Sequence, residues 1–120
     1  MGYYSDVALC LTKNGMEQLK TALSEAERNN HRNFAAIKML IGSEPSKIDE
    51  RTGFVVFLWK RKKWDDEFAE VAFVKAFMDS LPSDDFLFIR LGEDYDDIET
   101  RGNFRGKPFG MYVERKIVVA

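Results

Sequence analysis

Residues 90–102 read RLGEDYDDIETRG, and Glu93, Asp94, Asp96, Asp97 and Glu99 place five carboxylates within seven positions. Three chemistries use such a density: a divalent-cation site, an acidic surface imitating a nucleic-acid phosphate run, and paired carboxylates in acid–base work. A helix–loop–helix calcium loop wants oxygen ligands at positions 1, 3 and 5, glycine at 6 and glutamate at 12. Counted from Asp94, those last three positions hold Ile98, Glu99 and Arg105. The pattern fails, no His or Cys is spaced to add a softer ligand, and no metal is expected. Arg90, Arg101, Arg105 and Lys107 flank the stretch. Opposite charges on neighbouring strands are a routine way to solvate a sheet margin, and this reading outweighs the decoy. Carboxylates so close to arginines offer no evident acid–base pair.

A second cluster carries the opposite sign. Lys60, Arg61, Lys62 and Lys63 lie between Trp59 and Trp64, a combination that can hold phosphates and stack bases. Asp65, Asp66 and Glu67 follow at once and offset much of that field. A solvated strand end is the favoured reading. Nucleic-acid contact through residues 60–64, Arg101 and Arg105 is the alternative. His31 sits in the polar NNHRN and reads as a surface residue; Cys10, among apolar neighbours, reads as a buried thiol. There is no Gly-x-Ser-x-Gly elbow, no phosphate-binding Gly-x-x-x-x-Gly-Lys and no second Cys or His. Catalytic residues and cofactors are expected to be none, and an enzyme is the weakest of the readings.

Such side chains need elements to position them. The chain has 120 residues, 45% of them hydrophobic, with ten Phe, four Tyr and two Trp. That is enough for one domain, 1–120, with its own core. A net charge of −2 argues against general nucleic-acid binding. The single cysteine suits a reducing compartment. No apolar run approaches a membrane span and MGYYSDV lacks a leader's pattern, so a cytoplasmic protein without membrane contact is expected.

YSDVALCLT alternates Val7, Leu9 and Leu11 against Asp6, Ala8 and Cys10, which predicts a strand. Met16, Leu19, Ala22, Leu23 and Ala26 recur at helical spacing and predict a helix near 14–28, capped by Thr12 or Asn14. NFAAIKMLI is open between strand and helix, and GSEPSKIDERTG reads as loop. FVVFLWK predicts a central strand apolar on both faces. WDDEFAEVAFVKAFMDSLP predicts a helix near 66–80, capped by Asp65 and stopped by Pro82. DFLFIRL and MYVERKIVV predict two more strands, with the acidic segment and a glycine-rich loop between them. With the open segment as a strand, this is an α+β fold. Its antiparallel sheet carries two helices on one face, in ferredoxin-like βαββαβ order plus an added C-terminal strand. Leu19, Leu23, Val71 and Phe77 are expected in the core. The other sheet face then needs cover, from residues 32–52 or from a second copy. Self-association is slightly preferred, with Phe57 and Trp59 as candidate contacts.

The stretch from the aromatic strand through KW to EVAFVKAFMDSLPSDDFLFIRLGEDYDDIETRG resembles a group of small proteins carried by phages, prophages and related mobile elements. These share a tryptophan before the second helix, a FIRxGED strand and an acid-Ile-Glu turn ending in glycine. The matching residues here are Trp64, Phe88, Ile89, Arg90, Gly92, Glu93, Asp94, Asp97, Ile98, Glu99 and Gly102. The likeness covers roughly residues 54 to 102 and implies a genomic origin more than an activity. It makes an accessory role the leading expectation: modulating a host enzyme or defence system, or assisting replication, by recognising a protein partner. Glu93, Asp94, Asp96, Asp97 and Glu99 are the candidate contacts.

Overall fold

A computed structural model describes residues 3–29 and 31–103. Their elements run β1 (Ser5–Leu11), α1 (Lys13–Arg28), α2 (Phe34–Ile41), β2 (Lys47–Ile48), β3 (Val55–Lys62), α3 (Ala69–Ser80), a 3₁₀ turn (Ser83–Asp85), β4 (Phe86–Leu91) and β5 (Ile98–Gly102). The five strands form one sheet in the order β2-β3-β1-β4-β5, with every neighbouring pair antiparallel. The fold is α+β, as expected. The strand expected over residues 111–119, Arg105 and Lys107 lie outside the described residues.

Helix α1 forms where the apolar spacing places it. Thr12 is its N-cap: the hydroxyl accepts the Gly15 amide at 3.1 Å and donates to Asp85 Oδ1 at 2.8 Å. Asn14, the other candidate cap, instead donates its side-chain amide to Asp85 Oδ2 at 2.8 Å. The Asp85 carboxylate thus sits at the positive end of α1, where a helix favours an anion. A Cβ on Gly15 would lie 2.8 Å from the Asp85 carbonyl oxygen, so the residue here must be glycine for the two segments to meet.

Three expectations are corrected. The open segment is a helix, α2, whose Ile37, Leu40 and Ile41 are buried at helical spacing; only the two residues of β2 pair as a strand before β3. Helix α3 starts at Ala69, not 66, because the Asp65 side chain accepts the Glu67 amide at 2.9 Å and closes a turn ahead of the helix. The acidic segment passes directly into a strand, β5, paired with β4 from Leu87 to Leu91.

The core lies between the sheet and the three helices. Val7, Leu9 and Leu11 stand beside Trp59, Phe57 and Val55 on one side, and Phe88 and Phe86 continue the row on the other. Against them pack Leu19, Ile37, Ile41, Val74, Phe77 and Met78. Leu19, Val71 and Phe77 are buried as expected, whereas Leu23 is half-buried. Helix α2 shares this face, so residues 34–41 do not fold over the other one. Phe57, only 3% exposed, belongs to the core, and Trp59 packs against it while donating its indole N–H to the Leu40 carbonyl at 3.0 Å. These two side chains face the helices and are withdrawn as contacts for a second copy. The opposite face presents Ala8, Cys10 and Val56, all buried, and the more exposed Leu58 and Ile98.

Candidate functional site

The acidic turn is built around one arginine. Arg90 lies in β4 directly across from Glu99 in β5 and from Val7 in β1. Its Nε donates to Glu99 Oε1 at 3.0 Å, while Nη2 and Nη1 reach the two oxygens of Asp97 at 2.8 and 3.1 Å. Nη1 also donates to the Ser5 hydroxyl at 3.1 Å. This two-pronged geometry matches a planar guanidinium to a planar carboxylate. Asp97 foremost, then Glu99, hold Arg90 in its charged form and raise its pKa against the opposing effect of burial.

The N-terminal end of β1 completes the brace. The Tyr3 hydroxyl donates to Asp97 Oδ2 at 2.7 Å and accepts the Asp94 amide at 3.1 Å, and the Tyr4 amide donates to Glu93 Oε1 at 3.1 Å. Backbone bonds close the turn: Gly92 N to Asp97 O, Asp97 N to Asp94 O and Ile98 N to Asp96 O. A Cβ at Gly92 would stand 2.0 Å from Asp97 Oδ2 and 2.2 Å from the Tyr3 hydroxyl, so any side chain there would push these two groups out of the brace.

The five carboxylates therefore divide. Asp97 and Glu99 are held by Arg90 and Glu93 takes a backbone amide, whereas the Asp94 and Asp96 side chains stand in solvent beside Tyr95, which is 76% exposed. Among the described residues no group of three His, Cys, Asp or Glu side chains is placed to hold a metal ion. Tyr3 and Ser5 escaped the sequence reading. Only the register of β1 on β4, with Asp6 opposite Leu91, puts them beside the turn.

The basic cluster is brought together only in part. Lys60, Arg61 and Lys63 are exposed and Lys62 is half-buried. Trp64 is drawn inward, its ring tilted against those of Trp59 at 5.3 Å and Phe88 at 5.9 Å between centres, so it packs on the core and not outward. Arg101 is paired with Asp79 of α3. One extra residue in β3 sets a bulge opposite Ser5 and Val7, and Arg61 there has φ +50, its amide held by Asp6 Oδ1 at 2.9 Å. The Arg61 guanidinium lies 5.0 Å from the Tyr4 ring centre and the Lys63 ammonium 5.8 Å from it.

Elsewhere, a cleft of about 450 Å³ runs between α1 and the segment leading to β2, floored by Met16, Ile48 and Val55 and rimmed by Lys13, Glu17 and Lys20. No helix among the described residues is long and apolar enough to cross a membrane. No protein-family model, curated protein or solved structure matches this chain.

Proposed function

We propose that the chain is a small cytoplasmic accessory protein of a phage or mobile element that acts by recognising another protein, with residues 93–96 as the recognising turn. One observation carries this reading: the division of labour among the carboxylates. Arg90, Tyr3 and Gly92 fix the turn's backbone, and that rigid frame leaves Asp94, Tyr95 and Asp96 projecting at its tip. An aromatic side chain between two acids, held on a pre-ordered turn, suits a basic surface at low ordering cost. The resemblance of residues 54–102 to mobile-element proteins points the same way, toward modulation of a host enzyme or defence factor. The strand order β2-β3-β1-β4, with helices following β1 and β3, supports a ferredoxin-like frame to which α2 and β5 are additions. That frame positions the turn and says nothing about chemistry.

Nucleic-acid association through residues 60–63 has less behind it, because Trp64 is packed inward and Arg101 is ion-paired. The test captures partners from bacterial lysate on the immobilised chain and measures Kd with the purified partner. Neutralising the tip with Asp94→Asn, Tyr95→Ser and Asp96→Asn should weaken the complex by about tenfold or more. Equal binding by this variant would refute the reading. A single-stranded oligonucleotide that binds with a steep salt dependence would favour the alternative.

A further inference from the structure

We propose that the outer edge of β3, over residues 58–63, accepts an additional strand from an extended acidic peptide of another protein. Strand β3 runs to Lys62, yet β2 pairs only with Val55 and Val56. Among the described residues no strand follows β3 on that side beyond Val56. At Leu58 the backbone amide is donated to Ser46 Oγ at 3.0 Å, a side chain where a neighbouring strand's carbonyl would otherwise stand. The Leu58 amide points to this edge, and alternation puts the Lys60 N–H on the same side just ahead of the bulge at Arg61, where the edge is open among the described residues.

The side chains specify what that edge would accept. Leu58, 46% exposed, and Lys60 share one face at a spacing of two. None of Lys60, Arg61, Lys62 and Lys63 is ion-paired with a carboxylate among the described residues. The complementary strand places an apolar residue opposite Leu58 and a carboxylate two positions along, opposite Lys60. A further carboxylate, past the bulge, reaches the cations gathered over Tyr4. Lysines on an open edge repel like edges; the same charges reject a second basic β3 and select an acidic strand. The acidic turn takes no part, so this surface stands independently of the recognition proposed above.

A fluorescein-labelled peptide, Thr-Val-Thr-Glu-Thr-Asp-Thr, provides the probe, read by anisotropy and by amide hydrogen exchange. Saturable binding is expected, with slowed exchange at Lys60 and chemical shifts confined to residues 46–48 and 58–63. Lys60→Glu should weaken binding by about tenfold, and Lys60→Gln by less, both with native tryptophan emission. Asp94→Asn with Asp96→Asn should leave the Kd unchanged. The same peptide N-methylated at alternate amides should lose binding, because strand addition needs those donors. Equal affinity for the N-methylated peptide, unchanged exchange at Lys60, or no saturable binding at millimolar peptide would each overturn the proposal.

Discussion

Replacing Arg90 with methionine keeps most of the side chain's length and removes its five donors, which tests whether the acidic turn is a braced structure or a solvated decoration. Arg90 is 17% exposed in its side chain, and its partners Asp97 and Glu99 are 31% and 32% exposed. An ion pair broken in a dry interior costs about 3–5 kcal/mol, whereas a fully exposed pair is worth about 0–1 kcal/mol. Carboxylates left about two-thirds covered regain only part of their hydration, so the loss should be about 2–3 kcal/mol. For a chain of this size that corresponds to a Tm lower by roughly 6–12 °C. Urea unfolding followed by tryptophan emission reads the change as a shifted midpoint with an unchanged slope. Because the folded-state pKa of Arg90 is raised, the brace is fully present below the unfolded-state value. It would be lost only as pH rises through the still higher folded value, so the effect should persist through mildly alkaline buffers. A cycle with Asp97→Asn should show coupling well above that of a surface pair. A loss below about 0.5 kcal/mol would place Arg90 among ordinary solvated pairs and remove the rigid frame on which the recognition reading depends.

Gly92→Ala should cost about 1–3 kcal/mol, since the new methyl would meet Asp97 and the Tyr3 hydroxyl well inside contact distance; an unchanged urea midpoint would show that the two do not converge there. Phe57→Glu buries an uncompensated charge in the core, so circular dichroism should report unfolding; a folded chain that merely changes mass in light scattering would restore an interface role. Burial pushes the Cys10 thiol up to about 11 from 9.0, so the folded chain holds this proton more tightly than the unfolded one. Stability should therefore be full below about pH 9 and decline toward pH 11, with Cys10→Ala removing that slope if the assignment is right.

How far the sequence discloses this structure depends on which signals survive locally. Helix α1 is legible because Leu19 and Ala26 repeat its period and Thr12 caps it. NFAAIKMLI is not, because a short run of mostly apolar residues carries no polar contrast to separate a period of two from 3.6. Its helical form is decided by packing, which buries Ile37, Leu40 and Ile41 and leaves Met39 outside. Strand β5 is masked by its charge, although Glu99 and Arg101 share one face and answer Arg90 and Asp79 there. That neighbouring arginines offset the acidic stretch is legible from Arg90; that Glu99 lies in a strand across from it, and the parts played by Tyr3 and Ser5, depend on register. Trp64 misleads for a related reason: the bulge at Arg61 changes the strand's phase, and nothing in KRKKW announces it. Arg90, Asp97 and Glu99 form the fork and Gly92 its clearance. Gly102 turns at φ +89, where a Cβ would stand 2.2 Å from the Phe86 carbonyl oxygen.

The central place of β1 has a consequence for how the chain comes to be folded. Strand β1 is the central strand of the sheet and precedes both of its partners in the chain; β3 and β4 begin about 44 and 75 residues after it ends. At a translation rate of about 5–20 residues per second, β1 waits roughly 2–9 s for one neighbour and 4–15 s for the other. Through that interval Val7, Leu9 and Leu11, all buried at the end, have the nascent α1 and α2 to shelter them, while Ala8 and Cys10 on the other face have neither. The closure of such distant loops sets folding toward the slower side of mixed α/β domains. It also leaves the nascent β1 unpaired while β3 and β4 are still being made, a segment that a chaperone, or an aggregate, would take hold of.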